Sequence, residues 1–288
     1  MNSVALDHLM ADVAQLDDPQ VHVVRRVVAQ VRGSADAKDA YSLLGECDEA
    51  QLRQIRNIVD SMLRPIDEFI NPQSDLVSDA FSAEFKARLQ AHHGTHTTPL
   101  DRLAFENALA ASCLVEGMTV ELAPSKTTRF WDLRVNGDQI SAKSTSAKGI
   151  KLHELHTSKL SEAAWIQDCR SARMRYDGTM RLFEEFLGAV QRWIVLRAFK
   201  LRSAPGTLVY ELVEIPMALV SAVRGLGVQD FSSDAPRIDV RDEQGMTLQL
   251  VLDRSDSKVT IQKIPKDRCV VHGTWKLAGE YSGPLIAG

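Results

Sequence analysis

Apolar positions along the chain fall into helical and strand-like runs. "VHVVRRVVAQV" (21–31) and "EAQLRQIRNIVDSMLRPIDEFI" (49–70) place apolar residues three and four apart, so residues 1–91 read mainly as helices, with "GSADAKD" (33–39) as a link. "HHGTHTTP" (92–99) reads as a loop. The stretch 99–116 predicts a helix with Thr98 as N-cap and Pro99 in the first turn. Residues 129–144, "RFWDLRVNGDQISAKS", predict a hairpin, and 158–193 a helical region broken near Asp177-Gly178. "RWIVLRAF" and "TLVYELVEI" are strand-like, and "PMALVSAVRGL" reads as a short helix. "RIDVRD", "MTLQLVL", "KVTIQKI" and "CVVHGTW" make the C-terminal part β-rich. This order predicts an α/β protein with a mixed central sheet flanked by helices. A helical N-terminal part would cover 1–91, and the core with its β-rich C-terminal part 92–288.

Composition narrows the class. With 288 residues, 44% hydrophobic and 25% charged, the chain matches an ordinary globular protein with a sizeable core. No apolar run is long enough for a membrane span, and the acidic N-terminus does not resemble a secretory signal, so the cytoplasm is the expected compartment. Cys47, Cys113, Cys169 and Cys269 form no C-x-x-C pair, which argues against a disulfide framework and a thiolate zinc site. The net charge of −4 is unevenly spread: residues 1–125 carry −9, 126–202 carry +7, and 203–288 carry −2. A basic middle fits either a polyanion-binding face or surface helices that happen to be Arg-rich.

The hairpin carries the most chemistry. Asn136-Gly137 suits a type I′ turn, which needs positive φ at both central residues. The implied register pairs Val135 with Asp138, Arg134 with Gln139, Leu133 with Ile140, Asp132 with Ser141, Trp131 with Ala142 and Phe130 with Lys143. One face is then apolar. The other carries Phe130, Asp132, Arg134, Gln139, Ser141 and Lys143. Asp132 and Lys143 lie diagonally within reach. Two readings stand: the solvent face of an amphipathic hairpin, or a site where a carboxylate holds Mg²⁺ beside an ammonium. One carboxylate is a poor Mg²⁺ site, so a second acid is needed. Glu106, at the edge of the helix face carrying Phe105 and Leu109, is the candidate; it also reads as an ordinary surface acid.

These pieces resemble the PD-(D/E)xK nucleases, specifically type II restriction endonucleases. The resemblance runs through "HHGTHTTPLDRLAFENAL", Asp132 with Lys143, "SAKGIKLHELHTSKLSEAAW", "RWIVLRAFK", "YELVEIPMAL" and "IQKIPKDRCVVHGTW", over about residues 92–276. It implies a restriction-endonuclease-like fold and a Mg²⁺-dependent enzyme. Such an enzyme cuts both strands of double-stranded DNA at a short G/C-rich palindrome and leaves 5′ phosphates. A homodimer is expected, because a two-fold protein matches a two-fold site. By position Asp132 and Lys143 carry over as catalytic. Glu106 sits where the helix glutamate of this fold often lies, and Asp132 and Glu106 become the metal ligands. Ser141 occupies the catalytic position where an acid is usual. Water attacks phosphorus in line, the 3′ oxygen leaves, and Lys143 orients the nucleophile and balances charge.

Beyond the hairpin, Lys148, Lys151 and His153 in "STSAKGIKLHELHTSK" suit phosphate contacts, as do Arg173 and Arg175 on the next helix, although a polar loop and solvated helix charges explain them equally. Histidines 92, 93, 96, 153 and 156 match no zinc spacing. His272 reads as a hydrogen-bonded structural histidine. Two other readings remain: a nicking repair enzyme of similar fold, and a non-catalytic DNA-binding module. The presence of Asp132 and Lys143 argues against the second of these.

Overall fold

The computed structural model describes residues 44–125, 128–146, 149–201, 203–204 and 206–277. These fall into two units, one of residues 44–65 with 87–98, the other of 66–86 with 99–277.

In the first unit, helix α1 (Glu49–Leu63) opens on a capping box. The Asp48 carboxylate accepts from Gln51 N, and the Gln51 side chain accepts from Asp48 N, each at 2.8 Å. The helix was expected to run on through residue 70. It stops at Leu63 because Pro65 disfavours a helical Arg64, whose ψ is 132°. Ser61 Oγ donates to Gln90 O at 2.6 Å, and Gln90 Nε2 donates to Arg64 O at 2.7 Å. Gly94 packs so tightly that a Cβ there would lie 2.6 Å from Ile58 Cα. The expected elements of 21–31 and 33–39 lie outside the described residues.

The second unit is built on a seven-stranded sheet in the order β1-β11-β7-β6-β4-β3-β2. Its strands are β1 (Ile66–Ile70), β2 (Val120–Leu122), β3 (Leu133–Val135), β4 (Asp138–Thr145), β6 (Arg192–Lys200), β7 (Leu208–Ile215) and β11 (Val270–Leu277). A second sheet, β5-β10-β9-β8, joins β5 (Glu154–Glu162), β8 (Arg237–Asp242), β9 (Gly245–Asp253) and β10 (Lys258–Pro265). The remaining described α-helices are α2 (Asp79–His93), α3 (Arg102–Val115), α4 (Ala172–Ala189) and α5 (Met217–Ser221). The mixed α/β sheet with flanking helices is as the sequence predicts. Strand β4 runs parallel to β6, the one parallel pair among otherwise antiparallel neighbours in the described sheets. A parallel pair needs a long crossover, and β5 with α4 supplies it.

Buried apolar residues pack against the large sheet. On one side Phe183 and Phe186 of α4 pack with Trp193 and Val195 of β6, Val213 and Ile215 of β7, and Leu250 and Ile261 of the second sheet. Elsewhere Phe85 of α2 meets Trp275 of β11 with ring centroids 4.6 Å apart. Phe105 and Leu109 of α3 are fully buried, as their spacing predicts.

Helix α4 is unbroken at Gly178, against expectation. The glycine answers to packing rather than to a turn: a Cβ there would lie 2.5 Å from Trp165 Cζ3. Helix α3 starts at Arg102 rather than Pro99, because the Asp101 side chain accepts from Ala104 N at 2.8 Å and caps it. Strand β5 forms where the sequence predicts a loop and the start of a helix, because its polar residues hide the two-residue period. Gly178→Val should lower stability by about 1–3 kcal/mol through overpacking against Trp165. Urea denaturation checks this, and an unchanged midpoint would refute the close packing.

Candidate active site

The hairpin turn forms as its sequence dictates. Asn136 and Gly137 have φ of 50° and 96°, and Val135–Asp138, Arg134–Gln139 and Leu133–Ile140 are register partners. The expected pairs beyond Leu133 do not form. Asp132 N donates to Ile140 O at 2.8 Å, and Trp131 N turns back to Arg129 O at 3.0 Å. Phe130 carries a positive φ of 76°, an uncommon conformation outside glycine. Its ring lies edge-on against Phe186, with centroids 5.7 Å apart, which anchors the turn.

With the ladder broken, the Asp132 carboxylate takes over. Oδ2 accepts from Ala142 N at 2.8 Å and from Lys143 Nζ at 3.0 Å. Lys143 Nζ also donates to Ala142 O at 3.3 Å. Oδ1 accepts from Arg102 Nη2 at 2.8 Å, and Arg102 Nε donates to Glu106 Oε1 at 2.5 Å. One guanidinium thus bridges the two acids. The Asp132 and Glu106 side chains are 7% and 13% exposed, and Arg102 is 62% exposed. The hydrogen bond with Glu106 is the main cause raising the Arg102 pKa. The solvent-face reading of the hairpin fails here, since Asp132 and Ser141 are both buried.

The structure brings Asp132, Lys143 and Glu106 together, and leaves Ser141 out. Its hydroxyl is buried without a hydrogen-bond partner, as is the indole N–H of its register partner Trp193. Sequence reasoning missed Arg102, although it stands one helical turn before Glu106.

The expected DNA-contacting residues divide. Lys151 and His153 are exposed, with Lys151 Nζ 2.8 Å from Glu154. Arg173 is exposed and paired with Asp177 at 2.9 Å. Arg175 is not a surface cation. It is buried and donates to Phe231 O at 2.9 Å, Asp234 at 3.1 Å and Ser232 O at 3.3 Å, so its donors are used in holding the fold. Lys148 lies outside the described residues.

A second polar cluster sits on the same sheet. Asp75, Glu214 and His272 have potential ligand atoms within 4.8 Å of one another, the one such group of three among the described residues. His272 occupies a bulge in β11 between Val271 and Gly273. It faces Ser74 Oγ through Nδ1 at 2.8 Å and Glu214 through Nε2 at 3.0 Å. Arg192 Nη2 spans Asp75 at 2.8 Å and Glu214 at 2.5 Å. Burial opposes ionisation of Glu214, but the hydrogen bonds from His272 and Arg192 prevail and hold its pKa below the ordinary 4.5.

Donor chemistry separates the clusters. The first offers only carboxylate oxygens, which suit a hard cation such as Mg²⁺ completed by water and phosphate oxygens. Its bridging cation is mostly exposed. The second includes an imidazole, better suited to softer metals. Its Arg192 is only 16% exposed and satisfies both carboxylates from within the sheet. Asp132 and Glu106 therefore fit Mg²⁺ better.

A mixed sheet with helices on its faces, and a carboxylate and lysine from adjoining segments of a hairpin, has the architecture of restriction-endonuclease-like α/β enzymes. A family model, SmaI: Type II site-specific deoxyribonuclease, matches residues 41–277, and the chain belongs to that family. The type II restriction enzyme SmaI of Serratia marcescens is 29% identical over 211 residues, which cover 70% of this chain and 81% of that enzyme. No solved structure matches. The chain is a site-specific deoxyribonuclease and its substrate is DNA. Enzymes of this type generally use a divalent metal. Among the described residues no helix is long and apolar enough to cross a membrane.

The second cluster predicts a pH dependence of stability. A lowered folded pKa for Glu214 stabilises the fold above the ordinary value of 4.5, and that contribution is lost as pH falls through the folded value. Glu214→Gln should therefore cost stability at pH 7 and progressively less on acidification below about pH 4.5. Denaturation midpoints of both proteins at pH 7 and pH 3.5 measure this; an equal difference at the two values refutes it.

Proposed function

We propose that this protein is a Mg²⁺-dependent type II restriction endonuclease. It acts as a homodimer in the cytoplasm, cuts both strands of duplex DNA at a short G/C-rich palindrome, and leaves 5′ phosphates. The observation that carries the site assignment is convergence: Asp132 Oδ1 and Glu106 Oε1 face one cation position, while Lys143 grips the other Asp132 oxygen. The palindrome and the dimer rest on the family resemblance and on the symmetry argument.

Mg²⁺ would supply a Lewis acid for the phosphoryl oxygens and lower the pKa of attacking water. Asp132 and Glu106 would hold it through oxygens fixed by strand and helix. The Ala142 N–H and the Lys143 ammonium hold the Asp132 carboxylate in its orientation. Lys143, 22% exposed, is the group able to turn from Asp132 toward the scissile phosphate. There it positions the nucleophile and balances charge developing in the transition state. Ser141 takes no part, since its buried hydroxyl touches none of these groups. Lys151, His153 and Arg173 are suited to backbone phosphates, and binding there replaces weak surface ion pairs.

Digestion of a sequenced plasmid with Mg²⁺ tests the reading. Discrete fragments with mapped 5′-phosphate ends are expected. Asp132→Ala and Lys143→Ala should each slow cleavage by about 10²–10³-fold or more, and Asp132→Ala, which orphans the Ala142 N–H, should also cost about 1–3 kcal/mol of stability. Wild-type rates in both would refute the site, and nicked circles alone would favour the repair enzyme. Lys151→Ala should weaken DNA binding on all sequences and lower the slope of log affinity against log salt by about 1. An unchanged slope in a fluorescence titration removes Lys151 from the interface.

A further inference from the structure

We propose that Arg102 is a displaceable internal cation: it holds the Asp132 and Glu106 carboxylates together before metal binds, and the metal must evict it. The inference rests on the reading of those two acids as metal ligands and goes beyond it by assigning a competitor for the site.

The geometry carries the argument. Asp132 Oδ2 is committed to Ala142 N and Lys143 Nζ. Oδ1 is therefore the oxygen left to face a cation, and Arg102 Nη2 is on it at 2.8 Å. Arg102 Nε lies 2.5 Å from Glu106 Oε1. The guanidinium stands between the oxygens that a divalent ion would join, and both cannot occupy that position. Two nearly buried carboxylates facing each other with no cation would repel, so something positive must stand between them.

The position of Arg102 allows it to leave. It is the first residue of α3, and its side chain is mostly exposed. Asp101, not Arg102, caps the helix, so the guanidinium can swing out without loosening the helix start. Arg192 in the second cluster also spans two carboxylates, but from the sheet and with little exposure. Of these two guanidiniums, Arg102 alone combines a bridging position with a route into solvent. It is a positioning residue for the metal ligands, and its displacement couples metal affinity to the charge at position 102.

Mn²⁺ binding to the DNA-free protein tests this, with free Mn²⁺ followed by its electron paramagnetic resonance signal. The guanidinium that must leave is mostly exposed and screened by water, so Arg102→Ala should bind Mn²⁺ only about three- to tenfold more tightly than wild type. In EDTA the same variant should melt at a lower temperature, and saturating Mn²⁺ should raise its melting temperature more than that of wild type. Arg102→Lys, with one point charge in place of the fork, should fall between the two in affinity. Equal or weaker Mn²⁺ binding by Arg102→Ala overturns the proposal. Asp132→Asn separates the two ideas: if it binds Mn²⁺ as wild type does, the metal-site reading itself fails. If it loses binding while Arg102→Ala matches wild type, only the internal-cation inference fails.

Discussion

The Asp132 carboxylate takes a hydrogen bond that a regular ladder would give to a backbone carbonyl. Ala142 N points at Oδ2 rather than at the neighbouring strand. That substitution ends β3 at Leu133, and the chain before it turns back through Phe130. A buried N–H must be satisfied, so the side chain cannot rotate away without leaving Ala142 N orphaned. The same bond brings the carboxylate beside Lys143 and leaves Oδ1 aimed at helix α3. Backbone satisfaction thus fixes the orientation of the Asp132 carboxylate.

Two arginine-bridged acid pairs on one sheet show how burial decides what a charge cluster does. At Asp75, Glu214 and His272 the bridging guanidinium belongs to a strand and is mostly covered. Breaking it would leave a largely buried carboxylate uncompensated, a loss of about 3–5 kcal/mol. The cluster ties the segment after β1 to β6, β7 and β11. Asn71 reinforces the tie by donating from Nδ2 to Val271 O at 3.0 Å. At Asp132 and Glu106 the carboxylates are as covered, but the bridging cation itself is solvent-exposed and has a path into water. The first arrangement holds the fold; the second can exchange its cation.

Strongly patterned segments were legible in the sequence. β6, β7 and β8 to β11 are dense in branched residues, and Asn136-Gly137 specified the turn and the first three hairpin pairs. The burial of Phe105 and Leu109 left Glu106 on the edge of α3 that Arg102 links to Asp132. What failed was set by tertiary contacts. Gly178 looks like a helix breaker in isolation, and only the Trp165 ring above it shows why glycine is needed there. β1 sat at the end of a helical period and is defined by its partner β11. The resemblance drew on "LVEIP" and "CVVHGTW" without a structural reason. Those strings contribute Glu214 and His272 to one polar cluster, a pairing no local pattern could reveal.

The basic middle of the chain needs the same correction by burial. Its net charge of +7 over residues 126–202 suggested a polyanion-binding face. Arg175 and Arg197 are buried, and Arg192 is nearly so. Arg197 pairs with Glu211 across β6 and β7 at 2.8 Å. These three charges brace the fold and contribute little to the outer surface. Arg129, Lys151 and Arg173 are exposed, and each rests against a nearby acid: Glu185, Glu154 and Asp177. Such exposed pairs hold weakly, so a phosphate backbone can take the cations while the displaced acids return to water. The described surface is therefore less basic than the sequence implies.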